Sequence, residues 1–157
     1  MEKVNYNELK NQITKILKNK KTAVLATCEN NKITARTLSM INDDLTIYFQ
    51  TDKKFDKCQQ IKNNPNVAVA TDNVQIEGTA EIVGHPYDEE NKNFLELFKK
   101  KHYMSYKLYS KLKDEVVIKI DSKKITLWKY SSGKSFRYYL YIDEKKAERK
   151  YYSPDKN

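Results

Sequence analysis

Residues 34–57 read TARTLSMINDDLTIYFQTDKKFDK, and the fold turns on how this stretch pairs with itself. Two strand-like runs, Lys32 to Ile41 and Leu45 to Thr51, flank the turn residues Asn42, Asp43 and Asp44, which is a hairpin signal. Mirrored pairing about that turn puts Leu38, Met40, Leu45, Ile47 and Phe49 on one face as an apolar stripe, with Arg36 at its far end. A cation there either emerges at the rim of the core or meets an anion. Lys57 follows near the start of a helical segment, Phe55 to Asn63, which ends where Pro65 disfavours helical geometry in the residue before it. Two cations, the Thr51 hydroxyl and the free N–H groups of a helix start are the ingredients of a phosphate pocket. Spacing alone leaves open the other reading, in which Arg36 and Lys57 are solvated.

Outward from that stretch, the 157 residues predict one domain, 1–157, with an N-terminal helix inside 1–20 and a C-terminal arm over 131–157. With 39% hydrophobic and 32% charged residues and only 3 Gly and 3 Pro, the composition argues against disorder and against a repeat array. The first residues, MEKVNYNELK, lack a basic and apolar leader pattern, and no apolar run approaches the roughly 20 residues that span a bilayer. A cytoplasmic protein without a membrane partner is the expectation. Cys28 and Cys58 belong to no close-spaced motif, so reduced structural thiols are expected, and His85 and His102 have no carboxylate at ligand spacing, so no metal is expected. The net charge of +9 comes mostly from Lys spread along the chain, which makes it weak evidence for a nucleic-acid partner.

Asn5 to Lys18 carries Leu9, Ile13, Ile16 and Leu17 at helical spacing and predicts an amphipathic helix covering a sheet end. TAVLATC, Thr22 to Cys28, reads as a central strand. Val67 to Thr71 and Val74 to Val83, joined by Asp72-Asn73, predict a second hairpin; Gly78 within its alternation marks a bulge or a close backbone approach. A helix from about Glu89 to Lys100 has Phe94, Leu95 and Phe98 on its core side, and a shorter helical piece covers Ser105 to Lys111. Glu115 to Asp121 and Lys124 to Tyr130 predict two further strands around a Ser122-Lys123 turn. Roughly six strands joined mainly by hairpins, with helices at the ends and between pairs, make a mainly β protein and a small antiparallel barrel.

Three signatures then fall in order along Ala23 to Gly84: Arg36-Thr37-Leu38, Tyr48-Phe49-Gln50-Thr51 leading to Lys57, and Asn64-Pro65-Asn66-Val67-Ala68 followed by Gln75-Ile76-Glu77-Gly78. Together they resemble the pyridoxamine 5′-phosphate oxidase-like flavoproteins with the six-stranded antiparallel split β-barrel that binds FMN. The resemblance implies an FMN-dependent oxidoreductase and a homodimer with the flavin at its interface. It implies that Arg36, Lys57 and Thr51, in the run that includes Gln50, hold the phosphate end, and that the backbone of Thr37, Leu38 and Ser39 lines the ring. Gln75 or Asn73 is implied near the ring or ribityl chain, and Trp128 and Arg137 resemble the tryptophan and arginine that reach the flavin of the partner subunit. The chain also departs from the family. Phe55 and Asp56 replace a serine and an arginine before the helix lysine, with Lys53 or Lys54 as candidates to compensate. The arginine and histidine that the vitamin oxidases use for their substrate have no match around Gly133 to Arg137, so the resemblance stops short of that activity and leaves the substrate and electron donor open. Two other classes remain alternatives. One is a small basic barrel that binds single-stranded nucleic acid without a cofactor; the other is a flavin- or haem-binding protein without turnover. The tail KSFRYYLYIDEKKAERKYY mixes cations with aromatics as single-strand binders do, but a strand and arm completing a dimer is the preferred reading, with no nucleic acid expected.

Overall fold

The computed structural model describes residues 1–154; residues 155–157 of the expected C-terminal arm lie outside the described residues. Strand β1 (Glu2–Lys3) precedes helix α1 (Tyr6–Lys18), whose start is capped by the Asn5 side chain accepting the Glu8 N–H at 3.0 Å. Leu9, Ile13 and Leu17 of α1 are buried, one stripe of the helix turned to the sheet as the spacing predicts. The remaining elements in chain order are β2 (Thr22–Glu29), β3 (Lys32–Ser39), β4 (Ile41–Asp43), β5 (Thr46–Asp52), α2 (Asp56–Asn63), β6 (Asn66–Thr71) and β7 (Val74–Ile82). A short 3-10 turn (Glu89–Asn91), α3 (Lys92–Lys101), α4 (Tyr103–Tyr109), β8 (Glu115–Ser131), β9 (Lys134–Tyr141) and β10 (Lys146–Tyr151) follow.

All strand pairs are antiparallel, in the order β1-β10-β9-β8-β7-β6-β2-β3. β5 leaves this path to pair with the first half of β8, and β4 pairs only with β5. β3 and β5 approach each other without a ladder between them, so the barrel of β2, β3, β5, β6, β7 and β8 stays open along that seam. The six-stranded split barrel expected from sequence is present, with the two strands expected over Glu115 to Tyr130 joined in β8, and the split lies in the stretch that decides the fold. Phe49, Ile47, Leu25, Ile76, Ile118, Ile120 and Ile125 are fully buried within it, and Phe94 and Phe98 of α3 close a smaller cluster with Ile41 and Val117.

The pairing of that stretch differs from the single mirrored hairpin. Lys32–Ser39 pairs with β2 alone, from Ser39 opposite Thr22 to Lys32 opposite Glu29, and only Ile41–Asp43 pairs back onto β5. The chain breaks at Met40, whose N–H donates to the Lys21 carbonyl at 3.0 Å, and turns again at Asp44 with φ +54°. Met40, Leu45, Ile47 and Phe49 are nevertheless buried with Leu38 packed against them, because the stripe belongs to the core whichever strand supplies the ladder. The Ser122-Lys123 turn is also absent. β8 runs unbroken, its first half on β5 and its second on β9, with Lys123 bulged out between Gly78↔Ser122 and Glu77↔Lys124. Gly78 allows this: a Cβ there would lie 2.4 Å from the Asp121 carbonyl oxygen. The basic, tyrosine-rich segment expected as a C-terminal arm forms, over Lys134–Tyr151, the β9–β10 hairpin, which buries Leu140 and Ala147.

Candidate functional site

Where β3 and β5 part, a cavity of about 460 Å³ is lined by Thr37, Leu38 and Ser39 of β3, Gln50 and Thr51 of β5, and Lys57 from the first turn of α2. β3 has a ladder on one edge only, so backbone N–H and C=O groups along its other edge are open to this seam. Lys57 is 7% exposed, and its Nζ donates to Thr51 Oγ1 at 2.9 Å. None of the ion pairs among the described residues includes it. Burial pushes the Lys57 pKa down; the Cys58 thiol, Glu115 and Asp52 oppose that shift, and the Arg36 guanidinium adds to it. A buried cation with a hydroxyl as its only hydrogen-bond partner is costly in an empty site and suits a dianion.

Arg36 lies beside this cavity under α2 rather than on its wall. Its Nη1 donates to the Leu25 carbonyl at 3.1 Å and Thr27 Oγ1 at 2.9 Å, its Nη2 to Thr34 Oγ1 at 2.6 Å and Gln60 Oε1 at 3.3 Å. Every acceptor is neutral, so the guanidinium is oriented without being neutralised. Burial lowers its pKa and Asp56 raises it again. Gln60, on the same helix face as Lys57, ties the cluster together, since its Oε1 also accepts from Thr27 Oγ1 at 2.5 Å and Thr34 Oγ1 at 3.1 Å. Sequence reading missed Gln60; the signal was its i+3 spacing from Lys57 on α2. Replacing it with Leu removes an acceptor shared by three donors, and we expect Gln60→Leu to lose about 1–3 kcal/mol in urea unfolding.

Glu115 was also missed. It is 7% exposed on the same cavity wall; burial pushes its carboxyl pKa up, against a hydrogen bond from Gln50. Gln50 Oε1 in turn accepts from Ser110 Oγ at 2.7 Å. Lys53 and Lys54, the candidates to compensate for the absent phosphate donor, are each paired with a carboxylate: Asp114 lies 3.4 Å from Lys53 and 3.2 Å from Lys54, and Asp52 lies 3.8 Å from Lys54.

Gln75, Trp128 and Arg137 form a second group. Gln75 pairs with Thr126 and Trp128 with Arg137, so all three sit on one exposed face of β7, β8 and β9, outside the cavity that Lys57 lines. Asn73 anchors this face, its backbone carbonyl accepting the Trp128 N–H at 3.0 Å and its Nδ2 donating to the Trp128 carbonyl at 2.8 Å. Trp128 is 43% exposed, at the edge of a groove of about 990 Å³. The two histidines bond backbone carbonyls, His85 Nε2 with Leu112 and His102 Nε2 with Met40, each at 2.8 Å.

The sequence model of the family described as Pyridoxamine 5′-phosphate oxidase matches residues 9–129. General stress protein 26 of Bacillus subtilis (strain 168) is 35% identical over 66 residues, 42% of this chain, and the match spans about half (47%) of that relative's length. The crystal structure of General Stress Protein 26 from Bacillus anthracis str. Sterne superposes with a TM-score of 0.64 at 26% identity, over 85% of this chain and 94% of that one. A pyridoxamine 5′-phosphate oxidase-related, FMN-binding protein of Nostoc punctiforme PCC 73102 shares the fold at TM-score 0.59 and 12% identity, over 94% and 95% of the two chains. So does HutZ, the heme storage protein of Vibrio cholerae, at TM-score 0.64 and 12% identity over 74% and 92%.

Proposed function

The chain belongs to the pyridoxamine 5′-phosphate oxidase family, and on that premise we propose that it is an FMN-binding flavoprotein, an oxidoreductase moving electrons between a reduced donor and a small acceptor. The observation that carries this reading is Lys57: a residue 7% exposed, its ammonium bonded to a hydroxyl and to no carboxylate among the described residues, on the wall of a cavity at the open seam of the barrel. A phosphate monoester supplies the missing charge. Lys57 and Thr51 hold the phosphate end, with Arg36 held beside them by Thr27, Thr34 and Gln60, and the free edge of β3 from Thr37 to Ser39 borders the ring. When bound, the flavin supplies the electron transfer, and the protein contributes position, electrostatics and exclusion of competing partners. No side-chain nucleophile is required.

Because Gln75, Trp128 and Arg137 stand on a face apart from Lys57, one chain carries two part-sites. In a homodimer the face of one chain closes the ring end of the site whose phosphate end belongs to the other. No helix of the described residues is long and apolar enough to cross a membrane. Visible absorbance tests the cofactor: wild-type protein reconstituted with FMN is yellow after gel filtration, and Arg36→Ala with Lys57→Ala is colourless though folded. A colourless wild type refutes the reading. The shared site is tested by mixing chains. Lys57→Met and Trp128→Ala plus Arg137→Ala proteins each fail to hold FMN alone, and subunit exchange restores binding in the mixed dimers; no restoration contradicts the dimeric site.

A further inference from the structure

The residue before α2 is a phenylalanine whose placement the fold does not explain. Phe55 occupies the N-cap position of α2, where Ser, Thr, Asp or Asn serve best, and it makes no side-chain capping bond. It is 57% exposed, so the core does not require it either. Its ring instead faces Lys57, with Nζ 4.7 Å from the ring centroid, and it lines the same cavity. Of the two N–H groups a capping side chain would engage, that of Cys58 donates to the Phe55 carbonyl at 3.0 Å, while that of Lys57 has no acceptor among the described residues. We infer that Phe55 is a positioning residue of the phosphate end: its ring face holds the Lys57 ammonium against Thr51 while leaving the first turn of α2 uncapped toward the ligand.

The inference rests on the flavin reading above and goes past it. An aromatic face favours the ammonium over the neutral amine, which opposes the effect of burial on Lys57. The other groups acting on that ammonium are Arg36 from β3, Asp52 from the end of β5, Cys58 from α2 and Glu115 from β8. Leu at position 55 keeps an apolar cover over Nζ and removes the π face; Trp strengthens the face.

FMN affinity of the wild type, Phe55→Leu and Phe55→Trp, each also carrying Lys57→Arg, is measured across neutral and alkaline pH. Phe55→Leu weakens FMN roughly two- to fivefold at neutral pH and moves the alkaline loss of affinity to lower pH. Phe55→Trp restores both. With Lys57→Arg, which stays charged throughout, Phe55→Leu leaves the pH profile in place. The Lys57 titration in cofactor-free protein, followed by NMR of 13C-labelled lysine, is independent of any flavin: Phe55→Leu lowers its midpoint and Phe55→Trp does not. An unmoved midpoint, or Leu and Trp behaving alike, overturns the inference. A midpoint that moves in a wild type unable to take FMN upholds the Phe55–Lys57 contact and refutes the flavin reading instead.

Discussion

Lys57→Met is expected to yield a protein that is more stable than the cofactor-free wild type and that no longer holds FMN. The ammonium is buried beside a hydroxyl, and none of the ion pairs among the described residues includes it, so replacing it with an apolar side chain of similar length removes a desolvation cost and gains about 1–2 kcal/mol in urea unfolding. The same change removes a charge-assisted bond to phosphate in a water-poor site, and FMN affinity falls roughly hundredfold. A merely structural lysine would give the opposite pair of results, lower stability with binding intact. The pH dependence follows from the direction of the shift. The folded pKa of Lys57 lies below its unfolded value, so below the folded value both states are charged and the full cost stands. As pH rises through that value the folded state releases its proton first, the unfolded state binds more protons, and stability increases. This alkaline gain of the cofactor-free wild type is absent in Lys57→Met. FMN affinity runs the other way over the same range, since the phosphate binds the ammonium.

The second large effect concerns the scaffold. Gly78→Val puts a Cβ 2.4 Å from the Asp121 carbonyl oxygen, a backbone atom that moves only if β8 moves with it. Asp121 and Ser122 are where β8 changes partner from β5 to β9, so displacement there spreads into both ladders. The expected loss is about 3 kcal/mol by urea unfolding, with a smaller but still adverse effect for Gly78→Ala. Wild-type stability in either variant would mean that the bulge accommodates a side chain and that this glycine is incidental.

Much of this was legible because the governing contacts are short in sequence or repeat with a clear period. The alternation of Val74 to Ile82 is an observed strand over those residues, and Thr51 and Lys57, six positions apart, meet at 2.9 Å. Gly78 announced the close approach of another backbone, though not which one. What stayed hidden depends on distant partners. The break at Met40 is fixed by the Lys21 carbonyl, and the division of Lys32–Asp43 between two ladders is decided by β2, which takes β3 as its edge neighbour. Ser122-Lys123 has turn composition, yet Ser122 is buried with its Oγ donating to the Leu45 carbonyl at 2.6 Å, an interaction 77 residues apart in sequence. The short helix was placed at 105–111 and lies at Tyr103–Tyr109, a boundary that no cap or proline marks. At the site, Gln60 and Glu115 are buried only by the packing of α2 on β2 and the pairing of β8 with β5, which local spacing does not show. The pairing of Lys53 and Lys54 with Asp114, some sixty residues on in the chain, is likewise set by a distant partner.

On the proposed function, the seam between β3 and β5 holds a dianionic tail. Titration of the wild-type protein with FMN and with riboflavin, which share the ring and ribityl chain and differ in the phosphate, tests it most directly through quenching of flavin fluorescence. FMN is predicted to bind at least roughly hundredfold tighter than riboflavin, with the difference largely gone in Arg36→Ala plus Lys57→Ala. Equal affinity for the two flavins in the wild type would contradict it.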